Sequence, residues 1–212
     1  MEMSSMKNII NEISKLLEKK SIDEQINILN SIKLELHKLS PMKDEPIDCV
    51  IWTKNQNVIA NNYNPNTVAP PEMELLRLSI QKDGYTQPIV TYPRKDHFIV
   101  IDGFHRNRVG KEDKEINAKI MGYLPITTVR KTQETKGNRI ASTIRHNRAR
   151  GKHQISKMSD IILNLKRQNW TDEKVAKELG MSPDEVLRLS QITGLAEMFK
   201  DKEFKKAWEV KK

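Results

Sequence analysis

Residues 98–108, which read FIVIDGFHRNR, constrain the fold more than any other stretch of the chain. An apolar run typical of a buried strand ends at Asp102, and Gly103 then allows a sharp backbone turn. A helix start follows, where exposed backbone N–H groups and guanidinium forks bind phosphate. The stretch therefore predicts an anion pocket between a strand and a helix. Its cationic side chains are His105, Arg106 and Arg108.

Short apolar segments on both sides of this stretch alternate with helical patterns, which predicts an α+β fold with a small mixed sheet. A helix is predicted over residues 69–80, because prolines stand in its first turn and Gly84 follows as a stop signal. The Asn/Pro cluster at residues 61–66 predicts a loop before that helix. The predicted strands are residues 47–52, 58–60, 88–92, 98–102, 116–121 and 126–129.

The N-terminal residues 1–40 are predicted to form a helical arm of two helices, which a proline-bracketed linker separates from the sheet. The second helix opens with a capping box between Ser21 and Glu24. Its apolar residues form a narrow seam of the coiled-coil type. The sequence leaves open whether this seam packs on the protein's own core or docks a partner or a second copy. The seam consists of Ile22, Ile26, Leu29, Ile32, Leu36 and Leu39.

From residue 135 to the end the pattern predicts helices only. Thr171 is a good N-cap, Gly180 stops the helix that it begins, and Ser182 opens a second capped helix with Glu185 three residues later. Two short helices around a glycine-containing turn predict a helix-turn-helix at about residues 171–193, although an ordinary helical corner has the same turn. Its predicted core is Val175, Ala176, Leu179, Val186 and Leu189.

The charge distribution favours binding to a polyanion. The chain carries a formal net charge of +9, and residues 130–167 hold eleven basic residues against Glu134 and Asp160. This window alone accounts for the whole excess of positive charge, so we expect DNA binding that weakens steeply with salt. The predicted DNA contacts are Arg145, Arg150, Lys152, Arg167, Ser182 and Arg188.

Several classes of protein are disfavoured by composition. No apolar run approaches the ~18 residues that span a bilayer, and the N-terminus lacks a signal-peptide core. The single cysteine, Cys49, excludes an internal disulfide and fits a buried thiol in a reducing cytosol. No Cys/His pair has zinc-site spacing, so no metal site is predicted from these residues. We expect a cytoplasmic protein without a membrane partner.

The order of the motifs resembles the ParB/sulfiredoxin superfamily over residues 47–195. The resemblance rests on the Asn-Pro loop, on Tyr-Thr-Gln-Pro-Ile-Val at 85–90, on Asp-Gly-Phe-His-Arg at 102–106 and on Thr-Ile-Arg-His-Asn-Arg at 143–148. Three further motifs are Tyr-Asn-Pro-Asn at 63–66, Ala-Pro-Pro-Glu-Met-Glu-Leu-Leu at 69–76 and Arg-Ala-Arg-Gly-Lys-His at 148–153. With Asp-Gly-Phe-His-Arg, they resemble more narrowly the IbrB-type co-activators of prophage gene expression. The resemblance implies a ParB-like nucleotide-binding core at residues 47–134, followed by a basic helical region at 135–212 with the helix-turn-helix.

The resemblance also implies a ligand and partners. The Gly-x-x-Arg box of the superfamily contacts nucleotide phosphates, which implies a nucleoside triphosphate, ATP or CTP, with Mg²⁺. DNA is the implied macromolecular partner, with a reductase-family protein of the phosphoadenosine-phosphosulfate type or a second copy as further partners. The implied nucleotide-binding or phosphate-binding residues are Gln87, Asp102, Gly103, His105, Arg106, Arg108, Asn147 and Arg148.

Two functions follow as hypotheses. The leading one is a cytoplasmic DNA-binding regulator of the transcriptional co-activator type. The alternative is a nucleotide-dependent enzyme of this fold, such as a kinase, an NTPase or a nuclease, or a non-catalytic subunit of the reductase-like partner. Sulfiredoxin activity is disfavoured because Phe104 stands where sulfiredoxins carry their catalytic cysteine. The sequence assigns no catalytic residue.

Overall fold

A computed structural model describes residues 2–61, 69–130, 135–148 and 155–199. These residues form two compact units, one with residues up to 61 and 70–130, the other with Ala69 and the helices from 136 onward. The helices are α1 (Glu2–Leu17), α2 (Ile22–Leu39), α3 (Pro70–Asp83), α4 (Phe104–Glu112), α5 (Lys114–Lys119), α6 (Lys136–Arg148), α7 (Ile155–Arg167), α8 (Asp172–Leu179) and α9 (Pro183–Phe199). The strands are β1 (Ile51–Lys54), β2 (Val58–Ile59), β3 (Ile89–Pro93), β4 (Phe98–Asp102) and β5 (Tyr123–Thr128).

The five strands form one mixed sheet in the order β1-β5-β3-β4-β2. The pairs β1/β5 and β3/β4 are antiparallel, whereas β3/β5 and β2/β4 are parallel. The predicted α+β class, with a helical hairpin before the sheet and an all-helical region after it, is therefore confirmed.

The first unit has its core on the sheet and beneath α3 to α5. Alternation in β3 buries Ile89 and Thr91, as expected for a strand with one covered face. The buried apolar side chains on the sheet are Val58, Ile89, Val100, Leu124 and Ile126, and those between the helices are Ile80, Val109 and Ile116.

The predicted strand at residues 116–121 is wrong, because residues 116–119 belong to α5 and residues 120–121 to the turn that follows it. The Asp113 side chain accepts the backbone N–H of Ile116 at 2.8 Å and so caps the helix. Met121 and Gly122 then adopt positive φ, which ends the helix and turns the chain into β5. Ile116 is buried in a helix as it would be in a strand, so its hydrophobicity did not distinguish the two.

The predicted strand at residues 47–52 is also too long at its start. Pro46 begins a 3₁₀ turn that runs to Asp48, and β1 starts only at Ile51. The strand lies at the edge of the sheet, and α2 covers it. The side-chain amide of Asn30 donates to Trp52 O at 2.6 Å and accepts from Trp52 N at 3.0 Å. Asn30 therefore satisfies backbone groups that an edge strand would leave open.

The second unit is a helical domain with a continuous apolar core. The predicted helix-turn-helix is present as α8 and α9, joined through Gly180 at a φ of 65°. Its predicted core residues are all buried. The ring of Trp170 lies against Gly137 of α6, where a Cβ would come within 2.9 Å of it. None of the helices in the described part of the chain has a stretch long and apolar enough to cross a membrane.

Replacing Gly110 with alanine tests how α4 is held on the sheet. A Cβ at this position would overlap Tyr85 Oη and lie 2.5 Å from Leu124 Cδ2. Because overpacking is costly, we expect Gly110→Ala to lower the free energy of unfolding of the first unit by about 1–3 kcal/mol. Urea unfolding followed by hydrogen exchange of the sheet amides would measure it. The exposed Glu112→Ala on the same helix is the control and should change stability by less than ~0.5 kcal/mol. Equal effects would contradict the packing account.

Candidate phosphate-binding site and helix-turn-helix domain

The turn between β4 and α4 is built around Gly103. Its φ of 88° and ψ of 26° are left-handed, a conformation that costs other residues about 1–2 kcal/mol. A Cβ here would also lie 3.0 Å from Arg106 Nη2, so the guanidinium would have to shift slightly to admit a side chain. Gly103 is the N-cap of α4 and supplies no side-chain cap. The first N–H groups of α4 are therefore left for another acceptor.

Arg106 folds back over this turn. Its Nη2 lies 3.3 Å from Asp102 Oδ2 and 3.3 Å from Pro88 O, and Nη1 donates to Gln87 Oε1 at 3.1 Å. The ion pair is sheltered, since the side chains of Arg106 and Asp102 are only 15% and 6% exposed. The structure thus brings together four of the predicted site residues, Gln87, Asp102, Gly103 and Arg106. Asp102 holds the guanidinium in place, which is a different role from contacting an anion.

The imidazole of His105 lies in the first turn of α4 beside this cluster. Both of its ring nitrogens are buried, and neither has a hydrogen-bond partner among the described residues. The ring contacts Phe104 edge to face, with centroids 5.4 Å apart. Burial, and secondarily the charge of Arg108, lowers the pKa of His105, so the ring is neutral at pH 7. A buried polar group without a partner is destabilising by about 1–3 kcal/mol, which makes His105 a candidate ligand contact.

Two buried asparagines near the ends of the sheet strands were not predicted as site residues. Asn61 donates to Val100 O at 2.7 Å, but its Oδ1 has no partner in the described part of the chain. Asn107 on α4 is 2% exposed, and its Oδ1 likewise has no hydrogen-bond partner among the described residues. Asn61 carried a sequence signal only as a member of the Asn/Pro loop, and Asn107 carried none.

The other predicted nucleotide contacts stand apart from this cluster or outside the described side chains. Arg108 turns outward and pairs with Glu112 at 2.8 Å, with both side chains more than half exposed. Asn147 and Arg148 end α6, and their side chains lie outside the described part. Within the described ranges, no three His, Cys, Asp or Glu side chains come together as metal ligands. Of the predicted nucleotide contacts, those at the β4–α4 turn are Gln87, Asp102, Gly103, His105 and Arg106.

The helix-turn-helix is held by local caps and by its core. Thr171 accepts the N–H of Lys174 at 3.2 Å, and Ser182 accepts the N–H of Glu185 at 3.1 Å. Ser182, predicted as a DNA contact, is thus the hydrogen-bonding cap at the start of the second helix. Arg188 is exposed on α9, in its second turn.

The described residues of the basic window belong to both units. Arg130 belongs to the first unit, where it binds Glu45 and the carbonyl of Asp44, both at 2.8 Å. Arg145 binds the carboxylate and the carbonyl of Glu178 and so ties α6 to α8. Arg167 is exposed at the end of α7. The remaining predicted DNA contacts, Arg150 and Lys152, lie outside the described residues.

Comparisons with known proteins identify the C-terminal domain and the family. The family model described as IbrB-like C-terminal HTH domain matches residues 153–201, which include α7, α8 and α9. The chain is 50% identical over 190 residues to the uncharacterized protein YbdM of Escherichia coli (strain K12), covering 89% of this chain and 90% of that protein. The chain belongs to the YbdM family. The predicted likeness of this YbdM-family chain to IbrB-type proteins is confirmed for its helix-turn-helix domain.

Solved structures similar to this YbdM-family chain are ParB proteins, the superfamily that the sequence resembles. The C-terminally truncated chromosome-partitioning protein ParB from Caulobacter crescentus complexed with CTP-γ-S is 18% identical, with a TM-score of 0.39 over 71% of this chain and 83% of that chain. The same protein complexed to the centromeric parS site is 17% identical, with a TM-score of 0.45 over 70% and 75%. A Pnob8-like ParB-N domain is 13% identical, with a TM-score of 0.44 over 72% and 62%.

The buried imidazole of His105 predicts a pH dependence of stability. Its pKa is lowered in the folded state, so its contribution is fully present above the unfolded pKa of about 6.5 and is lost as the pH falls through the folded pKa. We therefore expect the free energy of unfolding to decrease more steeply between neutral pH and about 5.5 in the wild type than in His105→Gln. Urea unfolding at a series of pH values measures both slopes. Identical slopes would mean that the ring is accessible to protons in the fold.

Proposed function

We propose that this YbdM-family chain is a DNA-binding regulator that contacts DNA through α8 and α9. The observation that carries this proposal is the IbrB-like helix-turn-helix domain, in which buried side chains hold α8 against a capped α9. The second helix of such a motif enters the major groove with its N-terminal residues towards base edges. Arg188 is then the exposed cation nearest to the DNA on α9.

The electrostatics of α9 favour phosphate contacts over reading of guanine. Asp184 and Glu185 lie in its first turn, where acidic residues favour the positive end of the helix but repel the acceptor edge of guanine. Arg167 at the end of α7 adds a second exposed cation in the same unit. Because Arg145 is engaged with Glu178, we assign it a smaller role in DNA binding than the sequence predicted.

A second function is favoured by the β4–α4 turn. We propose that a phosphate-bearing nucleotide binds there, with its phosphate on the first N–H groups of α4. The specific support is the half-buried imidazole of His105, whose two buried nitrogens have no hydrogen-bond partner among the described residues. Arg106 places a positive charge beside the same turn, held by Asp102 and Gln87. A neutral imidazole donates one hydrogen bond to a phosphate oxygen without carrying charge.

The biological role is proposed from the resemblance to IbrB-type proteins. A transcriptional co-activator would couple the two ligands, because a nucleotide that binds one arrangement of the protein better shifts its population and hence its DNA affinity. A reductase-family partner and the choice between ATP and CTP stay predictions, and Mg²⁺ would have to be bound largely by the phosphates. For an enzyme, nucleotide turnover above background and lost in Arg106→Lys would be the supporting result.

Duplex DNA binding should depend strongly on salt. Each neutralised phosphate contributes about −0.9 to the slope of log K against log salt, so several contacts give a slope of several units. We expect Arg188→Ala either to reduce this slope by about 1, for a phosphate contact, or to cost about 1–3 kcal/mol at one base position. Fluorescence anisotropy at a series of salt concentrations measures both. Arg94→Ala, an exposed arginine of the first unit, is the matched control and should bind like the wild type. A flat salt dependence would refute the proposal.

Nucleotide binding should raise the melting temperature of the first unit. A ligand at a hundredfold excess over its Kd stabilises the native state by about 2.7 kcal/mol. We expect stabilisation by at least one member of a panel of ATP, CTP, GTP and adenylated sulfate, none by the matching nucleosides, and loss of the effect in His105→Ala. His97→Ala, in the β3–β4 turn of the same unit, serves as control. If none of the nucleotides raises the melting temperature, the proposal is wrong and the β4–α4 turn has only a structural role.

A further inference from the structure

Helix α2 docks on the sheet through polar side chains. Asp23 accepts from Tyr123 Oη and from Lys54 Nζ, both at 2.7 Å. About two helical turns further on, the side chain of Asn30 hydrogen-bonds both the backbone C=O and the backbone N–H of Trp52. At the end of the helix, the His37 Nδ1 lies 2.5 Å from Asp48. The docking positions Asp23, Asn30 and His37 repeat every seven residues, so they line one stripe of the helix.

The apolar stripe of α2 lies next to this docking stripe and faces solvent. Ile22, Leu29 and Leu36 also repeat every seven residues and are 50%, 38% and 61% exposed. With Ile32 and the 81% exposed Leu39 they occupy the a and d positions of a coiled-coil heptad. No residue of α2 is buried. Because the polar stripe already attaches the helix to the sheet, these exposed apolar side chains are not needed to hold α2 in place.

Helix α1 belongs to the same unit and carries an exposed apolar stripe of its own. Met6, Ile9 and Leu16 are each more than half exposed, and with Ile13 they follow the same alternation of three and four residues. The two helices are about 24 and 27 Å long and each about 10 Å wide. When the area of the protruding side chains is included, the two helices together offer a surface comparable with the ~800 Å² that each partner buries in a stable interface.

The charge of the hairpin indicates which partner covers the seam. Residues 1–39 contain six acidic and six lysine residues, so their formal charge is zero, while the rest of the chain carries the whole excess of +9. A surface without net charge does not attract a polyanion or a highly charged peptide. Both signs are interspersed along it, as on helix pairs whose flanking charges complement each other across a two-fold axis.

We propose that α1 and α2 form the interface of a homodimer, in which the seam of α2 packs against the hairpin of a second copy. The interface is isologous, so the same apolar positions meet on both chains. This inference does not depend on DNA or nucleotide binding. It does imply that two helix-turn-helix domains are joined in one particle, which suits recognition of two half-sites.

The test is the molar mass of the full chain in solution. Sedimentation equilibrium of the wild type over a wide concentration range should give twice the chain mass of 24.6 kDa at high concentration. Leu29→Glu combined with Leu36→Glu brings like charges into the seam and should raise the dimer dissociation constant on the order of 100-fold. Leu75→Glu, at a leucine on α3 that is 66% exposed, is the matched control and should leave the dissociation constant unchanged.

A charge-swap experiment separates a lost interface from a misfolded chain. The double glutamate variant is mixed with a Leu29→Lys, Leu36→Lys chain, and the mixture should regain dimers that neither variant forms alone. A wild type that stays monomeric at every concentration would overturn the proposal, and a different protein would then be the partner to test for the seam. A glutamate variant that remains dimeric, or a mixture that does not associate, would also overturn it.

Discussion

The sheltered ion pair between Asp102 and Arg106 is the interaction on which the candidate site depends. The pair closes the turn that contains the left-handed Gly103. The guanidinium that it holds also donates to the side chain of Gln87 and to the carbonyl of Pro88. Loss of one partner of a buried pair commonly costs about 3–5 kcal/mol, because the other charge stays buried. Residues 87–88 are thereby fixed against the β4–α4 turn, 18 and 19 residues further along the chain. Because the N-cap of α4 is Gly103, no side chain at that position caps the first N–H groups of the helix.

Features that depend on neighbouring residues were predictable from the sequence. The helix-turn-helix was located because Thr171, Gly180 and Ser182 act on backbone groups within a few residues of themselves. The same holds for Gly103, whose role follows from the strand that ends before it and the cations that follow. The segment at 116–121 was missed although its cap is also local, because a short apolar run has no period that separates a buried strand from a buried helix.

Contacts between distant residues could not be predicted. The pairing of Arg145 with Glu178 joins positions 33 residues apart, and the sequence pattern gave no sign of this tie between helices. The clamp of Asn30 on Trp52 gives α2 a polar docking face, which the apolar seam alone would not suggest. The missing partners of His105 are visible only once burial is known. In each case the pattern identified the residue type, and the tertiary environment decided what that side chain does.

Amide NMR of the full chain tests most directly whether the start of α4 binds phosphate. A titration with the nucleotide triphosphates should shift the backbone amides of Gly103, Phe104, His105 and Arg106 more than any others, since these N–H groups would bind the phosphate oxygens. Inorganic phosphate should shift the same amides at higher concentration. Unchanged amides at these four positions, or shifts confined to α8 and α9, would contradict the account.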